Sequence, residues 1–318
     1  MNPAIPSPKP VQSVLGEISH EIMGITDSHN HVWIGRIPGS DPSSPVLDDF
    51  NLIRSELLAY KAAGGGSILD CQPGSCGRNA SQLAELSGLT GVHILTCSGF
   101  HRRKYYAREL NPFNLDETRA AQLFIAELKH GTQETKSMPE PVRAGFIKIA
   151  LESVWSACPQ VLLEGTAAAA SETGAVVQIH TEKGALAEKA VVFFEKRGVK
   201  ANQLVICHID KLPDFCVHQE LAKFGVLLEY DTFYRPKYKP ETNVWPLVEK
   251  MVQADLGGSL CLATDMAEAE MYTAIGGGPG LASLPGAIKS RLQMMEIPEI
   301  EIRKILGGNI ARRLAGLK

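Results

Sequence analysis

No apolar run in this sequence approaches the roughly 20 residues that cross a bilayer, and its first ten residues, MNPAIPSPKP, lack the charged-then-apolar order of a secretory signal. The expectation is a cytoplasmic protein that does not use a membrane. Charge of one sign is missing as well: 32 basic against 35 acidic side chains leave a net −3, too balanced for a surface that holds nucleic acid by general electrostatics. No strand-like run leads into a GxGxxG or P-loop pattern, which argues against a bound nucleotide. There is no C-x2-C pair either, since Cys71 and Cys76 are too widely spaced for a structural zinc. The seven cysteines are an odd number. Four of them, Cys71, Cys97, Cys207 and Cys261, sit in apolar runs where a reduced thiol packs as a small hydrophobe, so a disulfide framework is not expected.

What is there is ordinary material for a large core: 318 residues, 44% hydrophobic and 21% charged. Eight short runs rich in β-branched residues recur, at 24–33, 65–71, 91–100, 144–151, 174–182, 203–210, 225–233 and 258–266. Between them lie segments with apolar residues three and four apart, such as 49–63, 185–198 and 240–256, each ending near glycine or a turn signal. Each strand is a near-continuous apolar run, as expected when helices cover both faces of a parallel sheet. Eight strand–helix units predict a single-domain α/β protein, a closed (β/α)8 TIM barrel over residues 1–318, because closure removes both sheet edges. An open doubly wound sheet is the alternative. A final helix over 296–316 and an N-terminal cap over 1–24 are expected to cover the two ends.

The strand ends carry an unusual polar set. His29 and His31 flank Asn30 at the end of the first run, and their i, i+2 spacing puts both imidazoles on one face of an extended chain. Lys148 ends the fourth run, His180 the fifth, His208 the sixth and Asp265 the eighth. All six converge at the C-terminal mouth, where barrel enzymes keep their chemistry. Taken singly, each histidine could be a hydrogen-bonded structural group; together, four imidazoles and a carboxylate read as a metal site, since each buried group would otherwise need its own partner. Of the other histidines only His101 could reach the mouth. An ammonium about 4 Å from a divalent ion is repelled by roughly 8 kcal/mol at an effective dielectric of 20. Lys148 therefore either bends away, pairs with Asp265, or loses its proton and adds carbon dioxide to become a carbamate, an anionic oxygen ligand.

The segments VLGEISHEIMGITDSHNHVW, GFIKIA, VVQIHTEKG, LVICHID and ATDM together resemble the phosphotriesterase-like branch of the amidohydrolase superfamily, the group of phosphotriesterase-related proteins and lactonases. The resemblance covers nearly the whole chain. It implies two divalent metal ions, with His29, His31 and Asp265 at one and His180 and His208 at the other, bridged by carbamylated Lys148 and a hydroxide. Zinc comes first among the metals, with manganese, cobalt and iron also suited to such ligands. Asn30 stands where that family commonly has Glu, and it is expected to point away from the metals. The resemblance further implies a hydrolase in which the hydroxide attacks an ester-like bond while Asp265 carries its proton toward the leaving group. A homodimer is also what it suggests.

Substrate choice lies on the loops. The 101–109 and 234–241 segments hold Arg102, Arg103, Lys104, Arg235, Lys237 and Lys239 interleaved with Tyr105, Tyr106, Tyr234 and Tyr238. Arg102, Tyr105, Arg235 and Lys237 are the expected substrate-binding residues for an anionic small molecule, against the reading that they are solvated loop charges. Lys237 and the 276–280 GGGPG run resemble the phosphate site of phosphorylated-sugar lactonases, but that site's arginine pair is Glu268 and Ala269 here, and a carboxylate facing a phosphate costs affinity. The expected reaction is hydrolysis of a small, anionic lactone or carboxylic ester. The alternatives are a phosphorylated-sugar lactonase, an N-acyl amide hydrolase, an organophosphate esterase, or a metal-dependent binding or sensor protein, which would have no use for the proton carrier Asp265.

Overall fold

The computed structural model describes residues 7–107 and 112–317. Residues 1–6 of the expected cap, and Arg108 and Glu109 of the expected substrate loop, lie outside the described residues. A short antiparallel hairpin, β1 (Val11–Ser13) and β2 (Gly16–Ile18), leads into eight strands that stand in chain order, each parallel to the next: β3 (Ile25–Asn30), β4 (Gly65–Asp70), β5 (His93–Gly99), β6 (Phe146–Ala150), β7 (Val177–His180), β8 (Leu204–Cys207), β9 (Leu227–Tyr230) and β10 (Leu260–Leu262). A helix separates every consecutive pair, from Phe50–Ala62 through Val244–Gln253. Four of these helices start on an Asp or Asn side chain (Asp49, Asn79, Asp116, Asp214) that accepts first-turn N–H groups otherwise left unpaired.

Closure between β10 and β3 is made by side chains more than by a ladder. Asp265 N–H donates to the His29 carbonyl at 3.0 Å, Ser28 Oγ–H to the Leu262 carbonyl at 3.2 Å, and Thr264 N–H to the buried Asp27 carboxylate at 3.1 Å. The seam thus fastens the strand end that carries His29 and His31 to the one that carries Asp265. Inside the barrel, Leu69, Cys71, Leu95, Cys97, Phe146, Val205, Cys207, Leu227 and Cys261 pack together with Met23, Val11, Ile310 and Leu314. The four strand cysteines are therefore the small apolar filling expected of them, and all seven cysteines are free thiols.

Two expectations about the ends need correction. The hairpin and the C-terminal segment do not cover opposite ends: Val11 and Leu314 belong to one cluster with the barrel's lower interior, so both close the N-terminal end of the strands and leave the mouth open. Nor is 296–316 one helix. It runs as Glu299–Arg303 and Asn309–Leu314, broken at Leu306 and Gly307. Gly307 has φ of 144°, and a Cβ there would collide with the Gly24 carbonyl and Thr26, so the chain abandons helical geometry to lie against the start of β3.

Candidate active site

The parallel arrangement brings every expected ligand to the mouth. His29 is in β3 and His31 one residue past it; Lys148 lies inside β6, His180 ends β7, His208 follows β8, and Asp265 stands three residues beyond β10. His208 and Asp265 take left-handed backbone conformations, φ 60° and 44°, that non-glycine residues rarely adopt, and this strain turns both side chains to the site. The β5 neighbour of Lys148 is Gly99, where a Cβ would collide with the Lys148 carbonyl oxygen. The imidazoles form a chain, with ring centres 5.7 Å apart for His29–His31, 4.7 Å for His29–His208 and 4.6 Å for His180–His208.

The ring nitrogens are assigned by partners that sequence reading missed. Glu229 Oε1 lies 2.6 Å from His29 Nδ1, Gln72 Oε1 2.7 Å from His31 Nδ1, and Asp231 Oδ2 2.7 Å from His208 Nδ1. Each oxygen accepts an Nδ1–H, so the other ring nitrogen is left as an electron-pair donor. Nε2 of His29 and of His31 stand 3.8 and 3.7 Å from Asp265 Oδ1, and the three ligand atoms fall within 4.8 Å of one another. Atoms about 2.1 Å from one ion at tetrahedral angles are roughly 3.4 Å apart, so this triad fits a divalent metal. The His180 ring borders that of His208 but also meets Glu182, its Nε2 lying 3.0 Å from Oε1.

Electrostatics agree with a ligand set. Burial holds His29 and His208 well below the usual imidazole range, and Lys148 or Lys211 adds to the effect. Burial brings His31 down to about 4, although Asp265 opposes it. These rings are neutral at physiological pH, the form that binds metals. Burial pushes the Asp265 carboxyl up, but Lys211, Arg235, His31 and Lys148 together more than offset that and hold it below the ordinary carboxylate range. Lys148 Nζ is fully buried, 2.8 Å from His29 Nε2. Burial lowers its pKa, yet Cys71, Cys207, Glu229 and Asp265 raise it further, so the protein's own groups hold it above the usual lysine range. The lowering argued from sequence would have to come from divalent cations. Buried Glu229 Oε2 and Asp231 Oδ1 have no hydrogen-bond partner among the described residues, and two such carboxylates behind the rings are what dications in front would balance.

A cavity of about 170 Å³ opens over this cluster, and Tyr105, Arg235 and Lys237 line it together with His101, Lys211, Tyr238 and Glu268. Arg102 does not line it. Its guanidinium is held by Glu152 at 2.7 Å and Glu182 at 2.6 Å, acids on two other loops that no sequence spacing connects to it. Arg235 faces the cavity but is engaged, donating to the Asp265 carbonyl at 2.6 Å and to Glu268 at 3.0 Å. The Glu268 charge is accordingly balanced. Lys211, unnoticed in the sequence because it follows a ligand, lines the cavity, and the Tyr238 ring lies 5.5 Å from its Nζ and 5.1 Å from that of Lys237. Asn30 points away from the ligands, as expected, but it is not idle. Its buried amide donates to Asp27 at 2.8 Å and to Thr264 at 2.7 Å, while its oxygen accepts the His31 N–H at 2.8 Å.

A model of the phosphotriesterase family matches residues 9–314. Among relatives, the N-acetyltaurine hydrolase of Danio rerio is 25% identical over 256 residues, spanning 70% of this chain and 71% of that protein. The phospho-furanose lactonase of Mycoplasmopsis synoviae is 26% identical over 271 residues, spanning 78% and 75%. The crystal structure of a lactonase from Listeria monocytogenes has the same fold, with a TM-score of 0.88 at 22% identity over 98% of this chain and 100% of that one.

Proposed function

The chain belongs to the phosphotriesterase family and is a metal-dependent hydrolase, and from that premise we propose that it opens a small, anionic lactone or carboxylic ester at the mouth of the barrel. The observation that carries the reading is the convergence of His29, His31 and Asp265 within 4.8 Å, with Glu229 and Gln72 fixing the ring nitrogens from behind. His29, His31 and Asp265 would hold one ion and His180 and His208 a second, with Lys148 between them as a carbamate. Zinc is the metal we name first, and the cytoplasm the location that seven free thiols suit. When bound, two such ions make water nucleophilic at neutral pH and polarise the acyl oxygen.

The protein's own groups supply the rest. Asp265 is ionised at neutral pH, so it accepts the proton released as water attacks; its low pKa then favours handing that proton to the leaving oxygen. Loss of one proton from the Lys148 ammonium, then addition of carbon dioxide to Nζ with loss of a second, would replace a buried cation by an anionic oxygen donor. Lys211 and Lys237 place positive charge on one wall, which favours a substrate that carries a carboxylate or comparable anion. Arg235 holds the loop after β9 to the Asp265 carbonyl and keeps Glu268 neutralised.

A second reading, N-acyl amide hydrolysis, is favoured by the likeness to the N-acetyltaurine hydrolase of Danio rerio. The two differ in whether an alkoxide or an amine must be protonated as it leaves. Zinc-loaded protein assayed against lactones, phosphorylated lactones and N-acyl amino acids separates them. Turnover of unphosphorylated lactones above the other two classes is the expected result, and exclusive turnover of amides replaces the first reading by the second.

A further inference from the structure

Of the four candidate ligand imidazoles, three meet their supporting oxygen through Nδ1, whereas His180 is reversed. Its engaged nitrogen is Nε2, 3.0 Å from Glu182 Oε1. The same oxygen accepts an N–H from Arg102 Nη1 at 2.6 Å, and the other edge of that guanidinium is held by Glu152 Oε2, 2.7 Å from Nη2 and 2.9 Å from Nε. Arg102 lies three residues past β5, Glu152 two past β6 and Glu182 two past β7, so one guanidinium ties together three successive loops at the mouth. All three side chains are only a quarter to a third exposed, which screens their charges less than those of an ordinary surface pair. A carboxylate paired with a guanidinium stays ionised and can only accept, so Nε2 carries the imidazole proton and Nδ1 keeps its electron pair. For Glu182 to turn away and leave Nε2 to an ion, its contact with Arg102 would have to break. The His180 ring meanwhile lines the ligand cavity, 4.6 Å from the ring of His208.

Resting on the reading of His180 and His208 as the ligands of a second ion, we propose that Glu182, clamped by Arg102, is the positioning residue for that ion: it fixes His180 as the Nε2–H tautomer and so offers Nδ1 to the metal. A carboxylate behind the ring also makes the nitrogen in front more basic, which strengthens its bond to a cation. Glu182 acts through His180, and Arg102 acts through Glu182. The clamp thus gives Arg102 a part in the site although it does not line the cavity. In the opposite arrangement Glu182 would occupy the nitrogen that the ion needs and compete with it, and removing the carboxylate would tighten the second ion instead of loosening it.

The test uses the full-length protein, first stripped of metal and then titrated with zinc. With its histidines labelled by nitrogen-15, stripped wild type should show His180 protonated at Nε2, with a downfield Nε2–H resonance, and unprotonated at Nδ1. Competition against a chelating dye then resolves the two zinc steps. Glu182→Leu should weaken the second step about tenfold to a hundredfold and leave the first within about threefold. Glu182→Gln, which keeps an acceptor oxygen without its charge, should fall between Glu182→Leu and wild type. Arg102→Met keeps Glu182 but frees it, and should weaken the second step by about twofold to fivefold. A merely structural role would instead lower the melting temperature of the stripped variants and weaken both steps alike. A second step that Glu182→Leu leaves unchanged or tightens overturns the proposal, as does a proton on Nδ1 of His180 in stripped wild type. If wild type takes up a single ion while the downfield Nε2–H resonance is present and disappears in Glu182→Leu, the Glu182 assignment stands and the two-ion reading is the part that fails.

Discussion

Replacing Glu229 separates metal binding from fold stability. Glu229 Oε1 is 2.6 Å from His29 Nδ1 with both groups fully buried, so once a bound dication keeps the carboxyl ionised the bond is charge-assisted and unscreened. Glu229→Gln keeps an acceptor oxygen of nearly the same shape but removes the charge, converting a bond worth about 1.5–3 kcal/mol into a neutral one worth about 0.5–1.5. The difference of about 1–2 kcal/mol should appear as a roughly 5-fold to 30-fold loss of zinc affinity, within the range known for partners of ligating histidines. Glu229→Leu loses the acceptor as well and should be weaker again. Stability should move the opposite way in the metal-stripped protein, because burial pushes the Glu229 carboxyl up to about 8 and Oε2 has no hydrogen-bond partner among the described residues. The melting temperature of stripped Glu229→Gln is therefore expected to rise. The assay is competition for zinc against a chelating dye, paired with thermal unfolding of the stripped protein. Zinc affinity equal to wild type, or parallel losses of affinity and stability in Glu229→Gln, would refute the idea that this carboxylate serves the metal at the expense of the fold.

Lys211→Met keeps an aliphatic stem and removes a charge beside Tyr238; KM for anionic substrates should rise about tenfold while that for an uncharged ester stays within a factor of two, as steady-state kinetics would show. Asn30→Asp sets a second carboxylate against Asp27, where the amide now donates at 2.8 Å, and should cost about 2–4 kcal/mol, read as a lower denaturant midpoint; an unchanged midpoint would show that the β3–β10 seam does not depend on this contact. Acid should destabilise the stripped protein early. His31 is held at about 4 against an ordinary 6.5, so its stabilisation is complete above about 6.5 and lost as pH falls toward 4. At about 1.4 kcal/mol per pH unit the gap amounts to about 3 kcal/mol. Denaturation at stepped pH checks this, and a stability independent of pH between 6.5 and 4 would contradict neutral, buried ligand histidines.

The candidate ligands were legible because each sits at the C-terminal end of a recognisable apolar run, and parallel topology converts that position into a place at one mouth. Their supporting residues were not. Glu229, in its strand, and Asp231, just past it, have the same i, i+2 spacing as His29 and His31, and that repeat was the available signal; Gln72 follows a strand end marked only by Asp70 and Cys71. Which loop charge faces the cavity depends on partners far away in sequence, so Arg102 read as substrate-binding when Glu152 and Glu182 in fact hold it, and Lys211 was passed over. The break at Gly307 escaped for a similar reason, since helical periodicity continues through it and the cause is the approach of Gly24 and Thr26.

The central claim is that His29, His31, His180, His208, Asp265 and a modified Lys148 hold two divalent ions. Elemental analysis of wild type and Lys148→Ala, each stripped, reloaded with excess zinc under carbon dioxide and desalted, tests it most directly. About two ions per chain in the wild type and a marked loss in Lys148→Ala are expected. A wild-type stoichiometry near zero, or the same two ions with and without the lysine, would contradict it.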